Sequence, residues 1–235
     1  MHHAAREHEV RQKARQLIVD TWHSEANLSF FLGLIVVMTF VLPLTKLVGE
    51  HLNVYVDIAY TLALVSGVAL ARRDRALFYP ALGIGLITLI VRWACWWYPA
   101  LLIIREELML ANLILFSAIL LQQVFAKGHV TAMRLQGAIA VYLLFGIAWA
   151  HAYQIVFYNN PHAFVVQTAT PSSVSEWLYY SFITVTTVGY GDIVPTTRVT
   201  RMLSVSEALT GQLYLTVLIA RLVASQVSDS PRSSQ

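Results

Sequence analysis

The sequence predicts an all-α integral membrane protein with six transmembrane helices, and three observations lead to this fold class. Of its 235 residues, 57% are hydrophobic and 12% are charged, whereas about 25% of the residues in soluble domains are charged. A shorter apolar segment near the C-terminal end cannot span a membrane and predicts a re-entrant element. Six other stretches each supply the roughly 20 mostly apolar residues that a spanning helix needs. They cover residues 28–47, 54–71, 76–98, 108–125, 135–157 and 199–227.

Residues 1–27 predict a cytoplasmic N-terminal segment that contains an interfacial helix. Val10, Ala14, Leu17 and Ile18 recur at helical spacing, with basic residues between them. This pattern is typical of a helix that lies on the inner leaflet. A frayed tail is the alternative.

The basic residues indicate how the chain is oriented in the membrane. Most lie before the first stretch, between the second and third, or between the fourth and fifth. They are Arg6, Arg11, Lys13, Arg15, Arg72, Arg73, Arg75, Lys127 and Arg134. Because cytoplasmic loops carry the excess of Lys and Arg, we expect a cell-membrane protein with both termini in the cytoplasm. Residues 228–235 would form a cytoplasmic tail.

Residues 28–126 predict a four-helix membrane domain whose fourth helix carries no gating charge. The fourth stretch contains neither Arg nor Lys, and steep voltage gating needs several charges that each contribute about 2.3 kcal/mol per 100 mV. Asp57 and Arg92 lie at similar depths in the second and third stretches. We expect them to form an ion pair that joins these helices, with weak voltage sensing as the alternative.

The re-entrant segment contains the sequence Thr-Thr-Val-Gly-Tyr-Gly-Asp at residues 186–192. Gly189 and Gly191 tolerate positive φ at little steric cost, so alternate peptides can turn their carbonyls toward one side. Four such carbonyls would form stacked oxygen rings for a dehydrated cation, and the Thr187 hydroxyl would add the innermost ring. The four carbonyls belong to Thr187, Val188, Gly189 and Tyr190.

A short helix is predicted directly upstream of this segment. Ser173 and Glu176 have the spacing of a capping box, so Glu176 is interpreted as a helix cap rather than an ion-coordinating acid. The C-terminal end of the helix would direct the negative end of its dipole toward the cation. Tyr179 and Tyr180 are expected to give Tyr190 aromatic neighbours and a hydrogen-bond partner.

Residues 174–227 resemble the pore of the tetrameric potassium-channel family, in its prokaryotic-looking form with six helices and one pore loop per chain. The resemblance implies a homotetramer with a re-entrant pore helix and a selectivity filter between the fifth and sixth helices. K⁺ would be the permeant ion, with no organic cofactor. Residues 28–126 would be the sensor-like domain and residues 127–227 the pore domain. The expected supports of the filter are Tyr179, Tyr180, Thr186 and Asp192, with Asp192 at the outer mouth. The family's paired tryptophans are replaced here by Tyr179 and Tyr180.

The sixth stretch carries the candidate gate residues. Gly211 lies where the family often has a hinge glycine, and close helix packing is the alternative. Leu215, Ile219 and Val223 recur at four-residue spacing and would either line the lower pore as a dewetting gate or pack against other helices. Glu207 is an acid at membrane depth. It would either make the channel proton-sensitive or hydrogen-bond a Ser or Thr of the pore helix.

The predicted function is therefore passive, K⁺-selective conduction with weak or no voltage dependence. A poorly selective cation channel and a subunit of a potassium transporter are the alternatives. The net charge of +3 and the lack of a basic cluster argue against nucleic acid as a partner, and no catalytic constellation indicates an enzyme. The expected partners are the lipid bilayer, further copies of the chain and an unidentified regulatory subunit.

Overall fold

The computed structural model describes residues 26–41, 53–126, 131–167 and 174–229. The predicted interfacial helix within residues 1–27 lies outside the described residues, as does the tail from residue 230 onward. The predicted helical class is confirmed for the described part of the chain, which is mostly α-helical. The helix that precedes the tail continues to Asp229, two residues beyond the predicted end of the sixth stretch.

Seven helices and two short strands form the described part of the chain. The helices are α1 (Ala26–Val41), α2 (Asn53–Leu70), α3 (Arg75–Ala94), α4 (Leu102–Val124), α5 (Ala132–Asn159), α6 (Val174–Val185) and α7 (Arg198–Asp229). The strands are β1 (Phe164–Val166) and β2 (Ile193–Pro195). Single 3₁₀ turns occupy Ala71–Arg73, Pro99–Leu101 and Pro161–Ala163.

Two helix boundaries differ by four residues or more from the apolar stretches that predicted them. Helix α3 ends at Ala94 rather than at residue 98 because Pro99 disfavours helical geometry at Tyr98, which adopts φ −126° and ψ 82°. Helix α4 begins at Leu102, six residues before the predicted stretch, because its first turns include charged residues that an apolar criterion rejects. One of these, Glu106, is buried and ion-paired.

Three helices of the described part are long and apolar enough to cross a membrane: Arg75–Ala94, Ala132–Asn159 and Arg198–Ser225. Helices α1, α2 and α4 overlap the other three predicted stretches. Helix α6 is 12 residues long, too short to span, as the re-entrant element requires. The six-span arrangement itself stays a prediction.

Helix α5 is the centre of the packing, since it contacts α4, α6 and α7. Among its residues 198–225, helix α7 buries one stripe against its own chain, formed by Thr200, Glu207, Gly211 and Tyr214. Many of its other apolar side chains are exposed, and they include Val199, Met202, Val205, Leu209, Leu213, Val217, Ile219 and Val223. An apolar surface of this extent requires a cover of lipid or protein.

The predicted ion pair between Asp57 and Arg92 is confirmed. An Nη2 of Arg92 lies 2.5 Å from Oδ1 of Asp57, and the Trp96 indole donates to Oδ2 at 2.8 Å. The guanidinium also stacks over the Tyr60 ring, 4.1 Å from its centroid, a favourable cation–π geometry. The pair joins α2 to α3, and Asp57 neutralises the buried charge of Arg92.

Candidate functional site

The segment that follows α6 alternates in backbone handedness. Thr187, Gly189 and Gly191 have φ of +62°, +54° and +80°, whereas the residues between them are not in the positive region. In a regular strand all residues have negative φ and successive carbonyls point to opposite sides. Left-handed residues at alternate positions rotate every second peptide, so successive carbonyls point to the same side. The segment can therefore present a row of main-chain oxygens, which is what dehydrated cations bind.

Thr187 is the residue that sequence reasoning missed in this alternation, because left-handed backbone was expected only at the two glycines. A non-glycine residue in this region costs about 1–2 kcal/mol. Hydrogen bonds to the last turn of α6 hold the conformation: the Thr187 amide donates to the Thr184 carbonyl at 2.9 Å, and the Gly189 amide donates to the Ile183 carbonyl at 3.0 Å. The sequence did contain an indication of this conformation. Thr187 stands two residues before Gly189, so it continues the alternate spacing of the two glycines.

The outer end of the segment is clamped by Tyr179 and Gln167. The Tyr179 hydroxyl donates to Oδ2 of Asp192 at 2.8 Å. Desolvation, together with the hydrogen bond to this carboxylate, raises the pKa of Tyr179 to about 12, so the phenol keeps its proton at neutral pH. The backbone amide of Gln167 donates to the Asp192 carbonyl at 3.0 Å. The side-chain amide of Gln167 donates to the Gly191 carbonyl at 3.2 Å. Gln167 was not singled out from the sequence.

The antiparallel pair of β1 and β2 supports the same end of the segment. Val165 pairs with Val194 at its centre, so the residues that follow the segment are tied to the chain leaving α5. The Thr196 hydroxyl adds a bond to the His162 carbonyl at 2.7 Å. Asp192 is therefore held by the strand pair that follows it and by the hydrogen bond from Tyr179.

The expected support of Tyr190 by Tyr179 and Tyr180 stays a prediction, and within one chain the hydroxyls of both tyrosines have other partners. Tyr179 bonds Asp192, and the Tyr180 hydroxyl lies 2.7 Å from the Ser204 hydroxyl of α7. Consecutive residues of a helix point about 100° apart, so one tyrosine faces the outer mouth while the other faces α5 and α7. Tyr190 is 73% exposed within its own chain.

The predicted helix cap lies partly outside the described residues, which begin again at Val174. Glu176 is in the first turn of α6, where a carboxylate interacts favourably with the positive end of the helix dipole. This position agrees with the interpretation of Glu176 as a helix-terminus residue. Thr186 follows the last turn of α6, and its hydroxyl donates to the Phe182 carbonyl at 2.5 Å.

Glu207 lies behind the segment, fully buried between α5, α6 and α7. The Tyr153 hydroxyl of α5 donates to Oε2 at 2.5 Å, and the Ser181 hydroxyl of α6 lies 2.5 Å from Oε1. Ser181 also lies 2.7 Å from the Gly146 carbonyl. Of the two roles expected for Glu207, the structure contains the hydrogen bond to a pore-helix serine.

Gly211 lies one turn below Glu207 and packs against the end of α6. A Cβ atom at Gly211 would lie 2.6 Å from both the carbonyl oxygen and the Cγ2 of Val185, a distance that real Cβ contacts do not show. Helix α7 runs without interruption from Arg198 to Asp229. The geometry at Gly211 is therefore that of the close-packing alternative.

The three expected pore-lining residues are turned away from their own chain. Leu215, Ile219 and Val223 are 37%, 59% and 58% exposed, whereas the neighbouring Tyr214 faces α5, where its hydroxyl donates to the Ala138 carbonyl. This orientation leaves them available to line a central cavity.

A buried hydrogen bond that sequence reasoning missed joins α4 to α5. Glu106 of α4 contacts Nδ1 of His151 on α5 at 2.5 Å, and its other oxygen accepts from Arg105 at 2.6 Å. Both Glu106 and His151 are buried. The two residues are 45 positions apart in the sequence, so no local pattern pointed to their contact.

Comparison with known proteins concerns mainly this C-terminal part of the chain. The profile of the family described as "Ion channel" matches residues 138–226. A voltage-gated potassium channel of Aeropyrum pernix is 38% identical over 94 residues, which are 40% of this chain and 29% of that protein. No solved structure gave a significant match.

Two plant proteins are also similar. The two-pore potassium channel 4 of Arabidopsis thaliana is 44% identical over 50 residues, 21% of this chain and 18% of that protein. The two-pore potassium channel 3 of the same plant is 30% identical over 86 residues, 37% of this chain and 18% of that protein. The matched part of this chain thus spans less than a third of the length of each relative.

Substituting Gly211→Ala tests the close contact between α6 and α7. We expect a loss of about 1–3 kcal/mol in stability, because the added methyl group must displace the carbonyl of Val185 or shift α6. Thermal unfolding of the purified protein in detergent measures the effect.

The matched control is Gly83→Ala in α3, where an added Cβ meets no atom within 4 Å. This change should be neutral or stabilise by up to about 1 kcal/mol. Equal midpoints for the two variants would contradict the packing described at Gly211.

Proposed function

We propose that this chain, which is similar to potassium channels in its C-terminal part, conducts K⁺ passively and selectively as a homotetramer. In this proposal it is a transmembrane ion-transport protein and not an enzyme. The proposal extends to a cell-membrane location with both termini in the cytoplasm. It is carried by one observation, the alternating handedness of the backbone from Thr187 to Gly191.

Four copies of this segment around one axis would surround an ion with main-chain oxygens. Rings formed by the carbonyls of successive residues replace the hydration shell of K⁺, and Na⁺ is discriminated by the size and field of these rings. The ligands would be the Thr187 hydroxyl and the carbonyls of Thr187, Val188, Gly189 and Tyr190. Hydrogen bonds from the Thr187 and Gly189 amides to α6 hold the row of oxygens before any ion arrives.

Surfaces around the filter support assembly with identical copies. Val188 and Tyr190 are 52% and 73% exposed, although their side chains must pack behind the strand if its carbonyls face an axis. Oδ1 of Asp192 is buried without a hydrogen-bond partner among the described residues of its own chain, so a donor from a neighbouring copy would satisfy it. A closed ring of four copies would cover these groups and the apolar faces of α7.

The lower half of α7 is the proposed gate. A ring of Leu215, Ile219 and Val223 from four copies would form an apolar constriction that closes by dewetting. Arg221 on the same helix donates to the Ala126 carbonyl after α4, which Arg134 of α5 also contacts at 3.0 Å. Movement of the gate would therefore be coupled to the end of α4, where a lipid or regulatory subunit could act.

Weak or absent voltage dependence follows from how the charges of the first four helices are paired. Arg92 is neutralised by Asp57, and Arg105 by Glu106. The span of α4 from residue 108 to residue 124 carries no basic side chain. A displacement of α4 through the membrane would therefore move little net charge.

Ion flux into liposomes tests the proposed function. We expect purified protein to pass K⁺ at least about tenfold faster than Na⁺, a difference of 1.4 kcal/mol in barrier height. Gly189→Ala should abolish the flux, because φ of +54° costs an alanine about 1–2 kcal/mol in each copy. Gly83→Ala serves as the matched control and should conduct normally.

Other outcomes of the flux assay identify the alternatives. Equal rates for K⁺ and Na⁺ would indicate a poorly selective cation channel. Accumulation of K⁺ against its gradient would indicate a transporter subunit. Either result would contradict passive K⁺-selective conduction.

Voltage dependence is tested by single-channel recording in planar bilayers. We expect an effective gating valence below about one charge, since each charge that crosses contributes about 2.3 kcal/mol per 100 mV and the basic residues named above are paired. A steep conductance–voltage curve that requires several charges per subunit would refute this expectation.

A further inference from the structure

The hydrogen atoms around Glu207 can be counted. Three short contacts link Tyr153 to Oε2 of Glu207, Ser181 to Oε1 of Glu207, and Ser181 to the Gly146 carbonyl. Each contact needs one hydrogen atom, yet the Tyr153 and Ser181 hydroxyls supply only two, and a carbonyl supplies none. A proton on Glu207 would supply the third hydrogen atom.

The order of donors follows from this count. Glu207 donates from Oε1 to Ser181, Ser181 donates to the Gly146 carbonyl, and Tyr153 donates to Oε2. All three contacts, at 2.5, 2.7 and 2.5 Å, are then made with one hydrogen atom each. With an ionised Glu207, Ser181 would face two acceptors with one hydrogen, and one oxygen pair would repel.

The surroundings of Glu207 also favour the neutral form. The groups near it are Tyr142 and Tyr153 from α5 and Tyr180 and Ser181 from α6. None is basic, and Glu207 forms no ion pair within the described residues. A carboxylate that is fully buried without a cation is strongly disfavoured.

The contact between Glu207 and Ser181 is connected to the ion-binding segment through the last turn of α6. Ser181 lies two residues before Ile183 and three before Thr184, whose carbonyls accept the Gly189 and Thr187 amides. Gly211, one turn below Glu207, contacts Val185 at the end of the same helix. The buried stripe of α7 therefore sets the position of α6, and α6 sets the backbone of the segment.

We propose that Glu207 is a neutral carboxylic acid that acts as a positioning residue, locking α6 and the attached filter onto α5 and α7. It touches no ion and acts through Ser181. Its effect on conduction rests on the proposed K⁺-channel function, whereas its protonation does not.

Infrared difference spectroscopy tests the protonation directly on the full-length protein in lipid. The spectrum of the wild type at neutral pH minus that of Glu207→Gln should contain the C=O stretching band of a protonated carboxylic acid. The matched control is Glu107→Gln, which alters an exposed acid on α4 and should remove no such band. A carboxylate band at Glu207 in place of the acid band would overturn the proposal.

Reversal potentials in mixed K⁺ and Na⁺ test the positioning role. Glu207→Ala should lower the permeability ratio of K⁺ over Na⁺ by about tenfold, because Ser181 and Tyr153 lose a buried partner. Glu207→Gln should keep the ratio within about twofold of the wild type, because its carbonyl accepts from Tyr153 and its amide donates to Ser181. The exposed control Glu107→Ala should leave the ratio unchanged.

A second variant covers the case in which Glu207→Ala does not assemble. Ser181→Ala removes the link to α6 while Glu207 remains, and it should also lower the ratio. The positioning role is wrong if Glu207→Ala or Ser181→Ala keeps the wild-type permeability ratio. It is also wrong if Glu207→Gln lowers that ratio as much as Glu207→Ala does. A wild type without K⁺ preference would instead overturn the proposed function, and the infrared result would still decide the protonation.

Discussion

The alternation of backbone handedness between Thr187 and Gly191 is the constraint on which the rest of this structure depends. A row of carbonyls on one side of a strand is a conformation that the chain does not adopt spontaneously, because a left-handed threonine costs about 1–2 kcal/mol. The row persists because other parts of the structure hold both of its ends. Carbonyls at the end of α6 accept the amides at the inner end, and Gln167 and Tyr179 bind the outer end.

The helices around this segment are arranged to hold α6. Helix α5 accepts a hydrogen bond from Ser181 at the Gly146 carbonyl, and α7 contacts α6 through Glu207 and through the bare backbone at Gly211. Two successive turns of α7 therefore contact α6, one through a buried hydrogen bond and the other through close packing. The opposite faces of α7 remain apolar and exposed within one chain, which is how a helix looks when its other neighbours are lipid and further copies of the protein.

Local signals in the sequence predicted much of this structure. Apolar stretches located the helices, and the two glycines of residues 186–192 located the left-handed backbone, because both features depend on residues close in sequence. The pair of Asp57 and Arg92 was predictable because opposite charges at one membrane depth have few other partners. The end of α3 was wrong by four residues, since an apolar criterion does not register the effect of Pro99 on the residue before it.

Contacts between distant residues were not predictable in the same way. Tyr180 bonds Ser204, and Glu106 bonds His151; these pairings depend on which helix faces meet after packing. The sequence allowed two roles for Glu207, and its contacts with Tyr153 and Ser181 appear only once α5, α6 and α7 are packed together. The hydrogen bond from Tyr179 to Asp192 likewise joins residues 13 positions apart.

The central claim is that four identical chains bring their main-chain oxygens together around K⁺. Native mass spectrometry of the purified protein, with thermal dissociation followed in K⁺ and in Na⁺, tests it most directly. We expect an assembly of four 26.3 kDa chains that dissociates at a higher temperature in K⁺ than in Na⁺. An ion that binds only the assembled state stabilises that state. A mass of one or two chains, or the same dissociation temperature in both salts, would contradict it.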